Sequence, residues 1–322
     1  NRATSMRPLP RSSLFQKKKK VLNIKKMYLF LYGEMILINK SNMKQTVSLV
    51  LSSGSARGIA HIGVIEELER QGFQIKAIAG SSMGALVGGI YASGNLDVFK
   101  DWMCKLDKKA VFSLIDFTLS ADGIVKGEKV IRELLKMIPD VNIEDLPISY
   151  CAVATDIKNG KEVVFEGGSL FEAIRASISV PTVFKPFHYE EMVLIDGGVL
   201  NPIPINRVKR RENDLLIAVD VCAPISHETQ ITSNKLVSEA ANVSIIKENG
   251  LRLLPQNNRK QLNYYTILSQ SGSLMVQQIS ALTIAIYQPD ILVKIPVNSY
   301  ESYHFYKSEE IIKLGETTAK KA

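Results

Sequence analysis

The most constraining feature of the sequence is a strand pattern, a helix pattern and a second strand pattern that follow one another without a gap wider than a turn. The first strand pattern is TVSLVL at 46–51, and the second is FQIKAIA at 73–79. Between them GIAHIGVIEELERQG, residues 58–72, carries apolar residues at helical spacing and ends in Gly72, a typical helix stop. This is a βαβ unit, in which the two strands run parallel.

The same alternation continues along the chain. Helix patterns cover 84–94 and 126–138, and strand patterns cover 148–155, 192–196, 215–221 and 291–295. The strand segments are nearly continuous apolar runs, as in sheets that are buried on both faces. The sequence therefore predicts an α/β fold of three layers, with a mostly parallel central sheet and helices on both faces. For the polar stretch 227–270 we expect helices and a long loop.

The positive charge of the chain is confined to its start. Of 322 residues 46% are hydrophobic, and the formal net charge is +8. Residues 1–42 hold ten of the 40 Lys and Arg residues but one of the 32 acidic residues, so the rest has 30 basic against 31 acidic residues. A nearly neutral body excludes a nucleic-acid-binding function, and a basic run of this kind is typical of a solvated tail.

An apolar stretch of twelve residues follows the basic run. MYLFLYGEMILI at 27–38 is too short to span a bilayer, and no A-x-A-like site follows it, so we predict neither a transmembrane helix nor a signal peptide. We expect residues 1–42 to be a basic extension that is either non-native sequence upstream of a start at Met43 or disordered. The domain is then 43–322.

The cysteines indicate a reducing compartment. Cys104, Cys151 and Cys222 are odd in number and widely spaced, which favours neither a disulfide framework nor a zinc site. We expect a cytoplasmic protein, either free or peripheral on a membrane.

A serine between two glycines stands where the second strand pattern ends. GSSMG at 80–84 fits G-x-S-x-G, in which Gly80 and Gly84 leave room for a tight turn that lifts Ser82 above the sheet at a helix N-terminus. The carboxyl ends of parallel strands are also where α/β proteins place reactive groups. The motif therefore predicts a nucleophile at Ser82.

A second turn of small residues follows the first strand. SSGSARG at 52–58 places free backbone N–H groups before a helix, an arrangement that favours an anion. We interpret it as an oxyanion loop made of Gly54, Ser55, Ala56, Arg57 and Gly58. A dinucleotide or phosphate loop is the alternative, but neither G-x-G-x-x-G nor G-K-[ST] is present.

From the residues alone, the general base is either a histidine or an aspartate. A Ser-Asp-His order would require His188, His227 or His304, whereas His61 lies between apolar residues and is more typical of a packed histidine. Asp196, at the end of VLID and before Gly197 and Gly198, can instead serve as a base directly if its surroundings are dry.

These blocks together resemble the patatin-like phospholipases, in particular the single-domain bacterial members. The blocks are SSGSARGIAHIGVIEEL, GSSMGA, AIRASISVPTVFKPF at 173–187 and DGG at 196–198, with further likeness in VATDIKNG and PDILVKIPV. The resemblance covers residues 45–206 well and 274–316 loosely. The family usually has glycine at position 55, and often at position 53, where this chain has serine.

The resemblance implies a Ser82–Asp196 dyad, backbone N–H groups around Gly54, Ser55 and Ala56 as the oxyanion hole, and hydrolysis of acyl esters of lipids or phospholipids at a membrane surface. It implies no metal and no organic cofactor. Two alternatives stay open: a lipid-binding or regulatory protein with an impaired site, because of Ser55, and a Ser-His-Asp esterase.

Overall fold

The computed structural model describes residues 45–114, 128–181, 183–225 and 264–322. The chain divides into two compact units, residues 1–45 and 46–322, and everything below concerns the second. The expected basic extension at 1–42 and most of the polar stretch 227–270 lie outside the described residues.

The strands form one mixed, mostly parallel sheet within the described residues. Its order is β5-β6-β3-β2-β1-β7-β8, with β4 also paired to β3. The strands are β1 Thr46–Leu51, β2 Gln74–Ser81, β3 Ser149–Asp156, β4 Lys161–Phe165, β5 Phe187–Tyr189, β6 Met192–Asp196, β7 Leu215–Ala223 and β8 Ile291–Pro296. β1, β2, β3, β7 and β8 run parallel to their neighbours among these five, whereas β4 and β6 pair antiparallel with β3, and β5 pairs antiparallel with β6.

The described helices connect these strands and cover the sheet. They are α1 Ala60–Arg70, α2 Met83–Ala92, α3 Leu96–Cys104, α4 Lys108–Leu114, α5 Glu128–Leu135, α6 Leu170–Ser177, α7 Tyr264–Tyr287 and α8 Ser308–Ala319. Short 3-10 turns stand at Ser55–Ile59, Ile143–Asp145, Gly197–Val199, Ile205–Arg207 and His304–Lys307.

The predicted fold class is confirmed, because helices pack on both faces of the sheet. A large cluster of buried side chains joins β1 to α1, α2, α6 and α8, and it includes Leu49 and Leu51. A smaller cluster joins Val50 to Ile205 and to Ile284 of α7. Successive side chains of a strand point to opposite faces, so the two clusters lie on opposite sides of the sheet.

Two strands share one edge of β3, and this arrangement builds the site. Along that edge β2 pairs with residues 149–153, and β6 pairs with residues 154–156. β4 pairs with residues 152–156, which overlap the residues paired with β2 and those paired with β6. It must therefore lie on the opposite edge of β3. Because β2 is parallel and β6 antiparallel to β3, their carboxyl ends meet in the middle of β3. Ser82 follows one of these ends, and Asp196 is the other.

Candidate active site

The serine of the G-x-S-x-G motif occupies a strained turn between β2 and α2. Ser82 has φ 53° and ψ −123°, a conformation that residues with a side chain rarely adopt. A Cβ on Gly80 would lie 2.5 Å from backbone atoms of Ala85, and one on Gly84 would lie 2.1 Å from the carbonyl oxygen of Leu51. Both glycines are therefore required by close backbone packing, which is the tight turn that the motif predicts.

Asp196 is a buried carboxylate with two hydrogen-bond donors. Its Oδ2 accepts from Ser82 Oγ at 2.5 Å, and its Oδ1 accepts from the Gly198 N–H at 2.7 Å. Burial raises the pKa of Asp196 from 3.8 to about 6, although both hydrogen bonds act in the opposite direction. The carboxyl group is thus a stronger base than an ordinary aspartate and is still mostly ionised at neutral pH.

The two glycines after Asp196 let the chain turn beside β3 and the loop after β1. A Cβ on Gly197 would lie 2.2 Å from the Val153 carbonyl oxygen, and one on Gly198 would lie 2.8 Å from Ser53 Oγ. Close approach at both positions allows the Gly198 N–H to reach the Asp196 carboxylate. These glycines therefore fix the orientation of Asp196.

The predicted oxyanion loop forms a 3-10 turn over the carboxyl ends of β1 and β7. A Cβ on Gly54 would lie 2.2 Å from Val221 Cγ2, and one on Gly58 would lie 2.3 Å from Met83 Cβ. The loop is thus packed against β7 on one side and against the residue after Ser82 on the other. This packing brings the loop next to the turn between β2 and α2 that carries Ser82, which we call the elbow.

The N–H groups of this loop fall into two sets. The Ala56 N–H donates to the Ser302 carbonyl at 3.3 Å, and the Arg57 N–H donates to the Gly54 carbonyl at 3.1 Å. The N–H groups of Gly54 and Ser55 donate to no backbone carbonyl of the described residues. Within the loop, the N–H groups of Gly54 and Ser55 are therefore candidates for donation to a substrate oxygen.

Ser55 holds the backbone conformation that glycine usually supplies. Its φ is 48°, in the left-handed region, and the preceding Gly54 is extended with φ 170°. Serine at this position therefore bears backbone strain that glycine would avoid. Strain of this kind is of order 1 kcal/mol.

Arg57 ties the loop to neighbouring segments through its guanidinium. Its Nη1 donates to the Tyr300 carbonyl at 2.8 Å, and its Nη2 approaches Cys222 Sγ at 3.6 Å. The guanidinium thereby ties the loop to the segment after β8 and to the end of β7.

Two of the three described histidines form hydrogen bonds with backbone groups other than those of Ser82 and Asp196. His61 is fully buried on α1, its Nε2–H donates to the Ser52 carbonyl at 2.9 Å, and burial lowers its pKa to about 4. His304 Nδ1 accepts from the Glu301 N–H, and His188 is exposed on β5. His227 lies outside the described residues.

Neither a metal cluster nor a membrane-spanning helix is found in the described part of the chain. There, no three His, Cys, Asp or Glu side chains are grouped so that they could hold a metal ion. No helix of residues 45–114, 128–225 or 264–322 combines the length and apolar character needed to cross a bilayer.

One polar residue of the site is not predicted from the sequence. Ser177, at the end of α6, accepts a hydrogen bond from the Ser82 N–H at 2.9 Å. The residue lies inside the block AIRASISVPTVFKPF, but only the meeting of α6 with the elbow, 95 residues away in the chain, reveals what it contacts.

Ser82 is a strained serine that is hydrogen-bonded to a buried aspartate at the carboxyl ends of the strands of an α/β sheet. This arrangement defines the class of hydrolases whose nucleophile stands on a sharp strand-to-helix turn, the nucleophile elbow. Comparison with known proteins gives the family. The family model described as patatin-like phospholipase matches residues 49–208. An uncharacterized NTE family protein of Mycobacterium tuberculosis is 32% identical over 326 residues, which cover 86% of this chain and 91% of that protein. The chain belongs to the patatin-like phospholipase family, as the resemblance indicates.

Longer relatives contain a similar region. The lysophospholipase NTE1 of Candida albicans is 31% identical over 277 residues, which are 84% of this chain but 19% of that protein. Among solved structures, VipD from Legionella pneumophila is similar with a TM-score of 0.44 and 15% identity, over 86% of this chain and 66% of that one.

Proposed function

We propose that this protein is a serine acyl hydrolase that cleaves carboxylic esters of phospholipids, a phospholipase A-type activity, through Ser82 and Asp196. The observation that carries the proposal is the 2.5 Å hydrogen bond between Ser82 Oγ and Asp196 Oδ2 at a strained elbow. A hydroxyl-to-carboxylate distance this short is typical of a charge-assisted bond, and it aligns the proton for transfer.

The first half of the reaction forms an acyl-enzyme. Ser82 Oγ attacks the ester carbonyl carbon while its proton passes to Asp196 Oδ2. The carbonyl oxygen becomes an oxyanion, to which the N–H groups of Gly54 and Ser55 donate, and the positive end of α2 adds a favourable field. The intermediate then collapses, the ester C–O bond breaks, and Asp196 returns the proton to the leaving alcohol.

The second half releases the fatty acid. Asp196, again ionised, takes a proton from a water molecule that attacks the acyl carbon, and the proton then passes to Ser82 as the acyl–oxygen bond breaks. The raised pKa of Asp196 suits both directions of transfer, because catalytic efficiency is greatest when the pKa of the group lies near the working pH. No metal or organic cofactor takes part in these steps.

The substrate class rests on the relatives. A relative named lysophospholipase NTE1 supports single-chain phospholipids as the first substrates to assay. Since these are components of membranes, we propose that the protein acts in the cytoplasm at a membrane surface, without interaction with nucleic acid.

The test measures fatty acid released from a lysophospholipid and from a diacyl phospholipid by the whole chain. Ser82→Ala should lower the rate by several orders of magnitude, because the nucleophile is lost. Ser81→Ala is the matched control: Ser81 Oγ is buried and has no hydrogen-bond partner in the described residues, so its removal should leave the rate unchanged. Binding of lipid vesicles by the unaltered protein without any release of fatty acid would instead support the lipid-binding or regulatory alternative.

A further inference from the structure

The last turn of α6 contacts both halves of the site. Ser177 ends the helix, and Ile178 and Ser179 continue from it toward β6. The Ser177 side chain reaches the elbow, and the Ser179 carbonyl accepts from the Asp196 N–H at 2.9 Å. One turn therefore contacts the residue that follows β2 and the residue that ends β6.

Ser177 is fully buried and makes two hydrogen bonds with its hydroxyl. Its Oγ accepts from the Ser82 N–H at 2.9 Å, and its O–H donates to the Val153 carbonyl at 2.7 Å. Because a backbone N–H can only donate and a carbonyl oxygen can only accept, the direction of each hydrogen bond is fixed. The hydroxyl thus bridges the backbone of Ser82 to the middle of β3.

Both partners of this hydroxyl, the Val153 carbonyl and the Ser82 N–H, lie where the pairing of β2 with β3 ends. β2 pairs with β3 up to Val153, and β6 begins to pair at Ala154, so Val153 lies where one strand replaces the other. The Ser82 N–H is likewise beyond the end of β2 at Ser81, and Ser177 Oγ is the acceptor that it meets there. A buried backbone group without a partner is destabilising, and Ser177 supplies a partner at both positions.

The turn is itself held rigidly. Arg175 Nη1 donates to Ser179 Oγ at 2.5 Å, and Arg175 Nη2 donates to the Lys185 carbonyl at 3.0 Å. Ser179 Oγ also donates to the Arg175 carbonyl at 2.8 Å. The position of the Ser177 hydroxyl therefore does not depend on a flexible segment.

We infer that Ser177 is a positioning residue, which holds the Ser82 backbone in its strained conformation so that Oγ stays within reach of both Asp196 and an ester carbon. The inference rests on the proposed function of Ser82 and adds to it a residue that does not touch the substrate. A displacement of reacting atoms of about 1 Å can lower a rate on the order of a hundredfold, so losing this bridge should reduce the chemical step and leave substrate binding intact.

The test compares Ser177→Ala with Ser48→Ala. Ser48 is an equally buried serine on β1 whose hydroxyl also has two acceptors in reach, Asp214 Oδ2 at 3.0 Å and the Lys209 carbonyl at 3.3 Å, but it lies at the amino end of the sheet. With a soluble chromogenic ester, Ser177→Ala should lower kcat roughly 10- to 100-fold with little change in KM. Ser48→Ala, at a comparable loss of thermal stability, should retain kcat.

A second variant covers the case in which Ser177→Ala does not fold. Ser177→Thr keeps the hydroxyl and should retain much more activity than Ser177→Cys, whose thiol is a weaker donor and acceptor. Equal kcat in Ser177→Ala and the unaltered protein, or an equal loss of kcat in Ser177→Ala and Ser48→Ala, would overturn the inference. Equal kcat in the Thr and Cys variants would overturn it as well. Failure of the proposed function is distinguishable, since either the unaltered protein would then release no product or Ser82→Ala would keep its activity.

Discussion

Two serines of the site hold their backbones at positive φ, and they do so for different reasons. Ser82 must carry a side chain there because we propose its hydroxyl as the nucleophile. For Ser55 we propose a role of the N–H alone, and its hydroxyl makes no hydrogen bond within the described residues. The strain at Ser82 is therefore part of the site. The strain at Ser55 is removable.

Replacement of Ser55 by glycine should stabilise the protein. Glycine adopts φ 48° without strain, and after allowing for its greater freedom in the unfolded chain we expect a gain of about 0.5–1 kcal/mol in the free energy of unfolding. Denaturant titration of Ser55→Gly measures this, with kcat unchanged or raised. A decrease in both stability and kcat would mean that the serine hydroxyl makes a useful contact.

The rate should depend on pH through Asp196. The base must be ionised, and its pKa is raised to about 6, so kcat/KM should be flat above that pH and fall about tenfold per unit below it. Since histidine titrates in the same range, the temperature dependence of the apparent pKa is measured as well. A carboxyl group ionises with almost no enthalpy change, so its pKa should hardly move with temperature. A strong shift of the acid limb with temperature would indicate a histidine base.

At the residue scale, the sequence predicts those site residues that are marked by their immediate neighbours in the chain. Ser82, Asp196 and the loop around Gly54 are found from motifs because each needs small neighbours within two or three positions of the chain. Ser177 is not found in this way, because its partners Ser82 and Val153 come to it only through packing of distant segments. The hydrogen bond from the Ala56 N–H to the Ser302 carbonyl has the same origin, since it joins segments far apart in the chain.

At the scale of elements, the C-terminal helix lies unusually close to the first one. A Cβ on Gly315 of α8 would lie 2.0 Å from the Ala60 carbonyl oxygen, and one on Gly63 of α1 would lie 2.0 Å from the Ile312 carbonyl oxygen. Each helix therefore presents a glycine to the backbone of the other. This contact anchors α8 to the helix that follows the oxyanion loop.

Gly315→Ala should destabilise the protein, although replacement of glycine by alanine usually stabilises a helix. In an open helix, glycine to alanine is stabilising by roughly 0.5–1 kcal/mol, and Gly272 in α7, with no atom within 4 Å of its Cβ position, provides that control. Gly315→Ala must instead push α8 away from α1, a loss of about 1–3 kcal/mol. Thermal melts should move in opposite directions for the two variants. A higher melting temperature for Gly315→Ala would mean that the helices are not in backbone contact.

The strands most evident in the sequence are those with nearly continuous apolar runs. β1 and β6 have the bounds that their apolar runs predict, and β7 and β8 extend only slightly beyond them. β4 and β5 are missed because they are short and carry polar residues at an edge. The meeting of β2 and β6 along β3 could not be predicted either, since it depends on β6 running antiparallel, which no local pattern specifies.

At the scale of the whole molecule, residues 1–42 are predicted to be dispensable. The described sheet begins at Thr46, and the site described above uses residues from Ser52 onward, so a chain that starts at Met43 should fold and retain kcat on a soluble ester. Gel filtration and the ester assay check both points. Aggregation of the shortened chain, or loss of hydrolysis with vesicles alone, would show that the basic segment has a structural or anchoring role.

The assignment of Ser82 as the nucleophile is tested most directly by covalent labelling with a fluorophosphonate and location of the adduct by peptide mass. The expected result is one adduct, on Ser82, in the unaltered protein and in Ser81→Ala, with none in Ser82→Ala and much slower labelling in Asp196→Asn, because an amide cannot accept the proton. An adduct on another residue, or normal labelling of Ser82→Ala, would contradict the assignment.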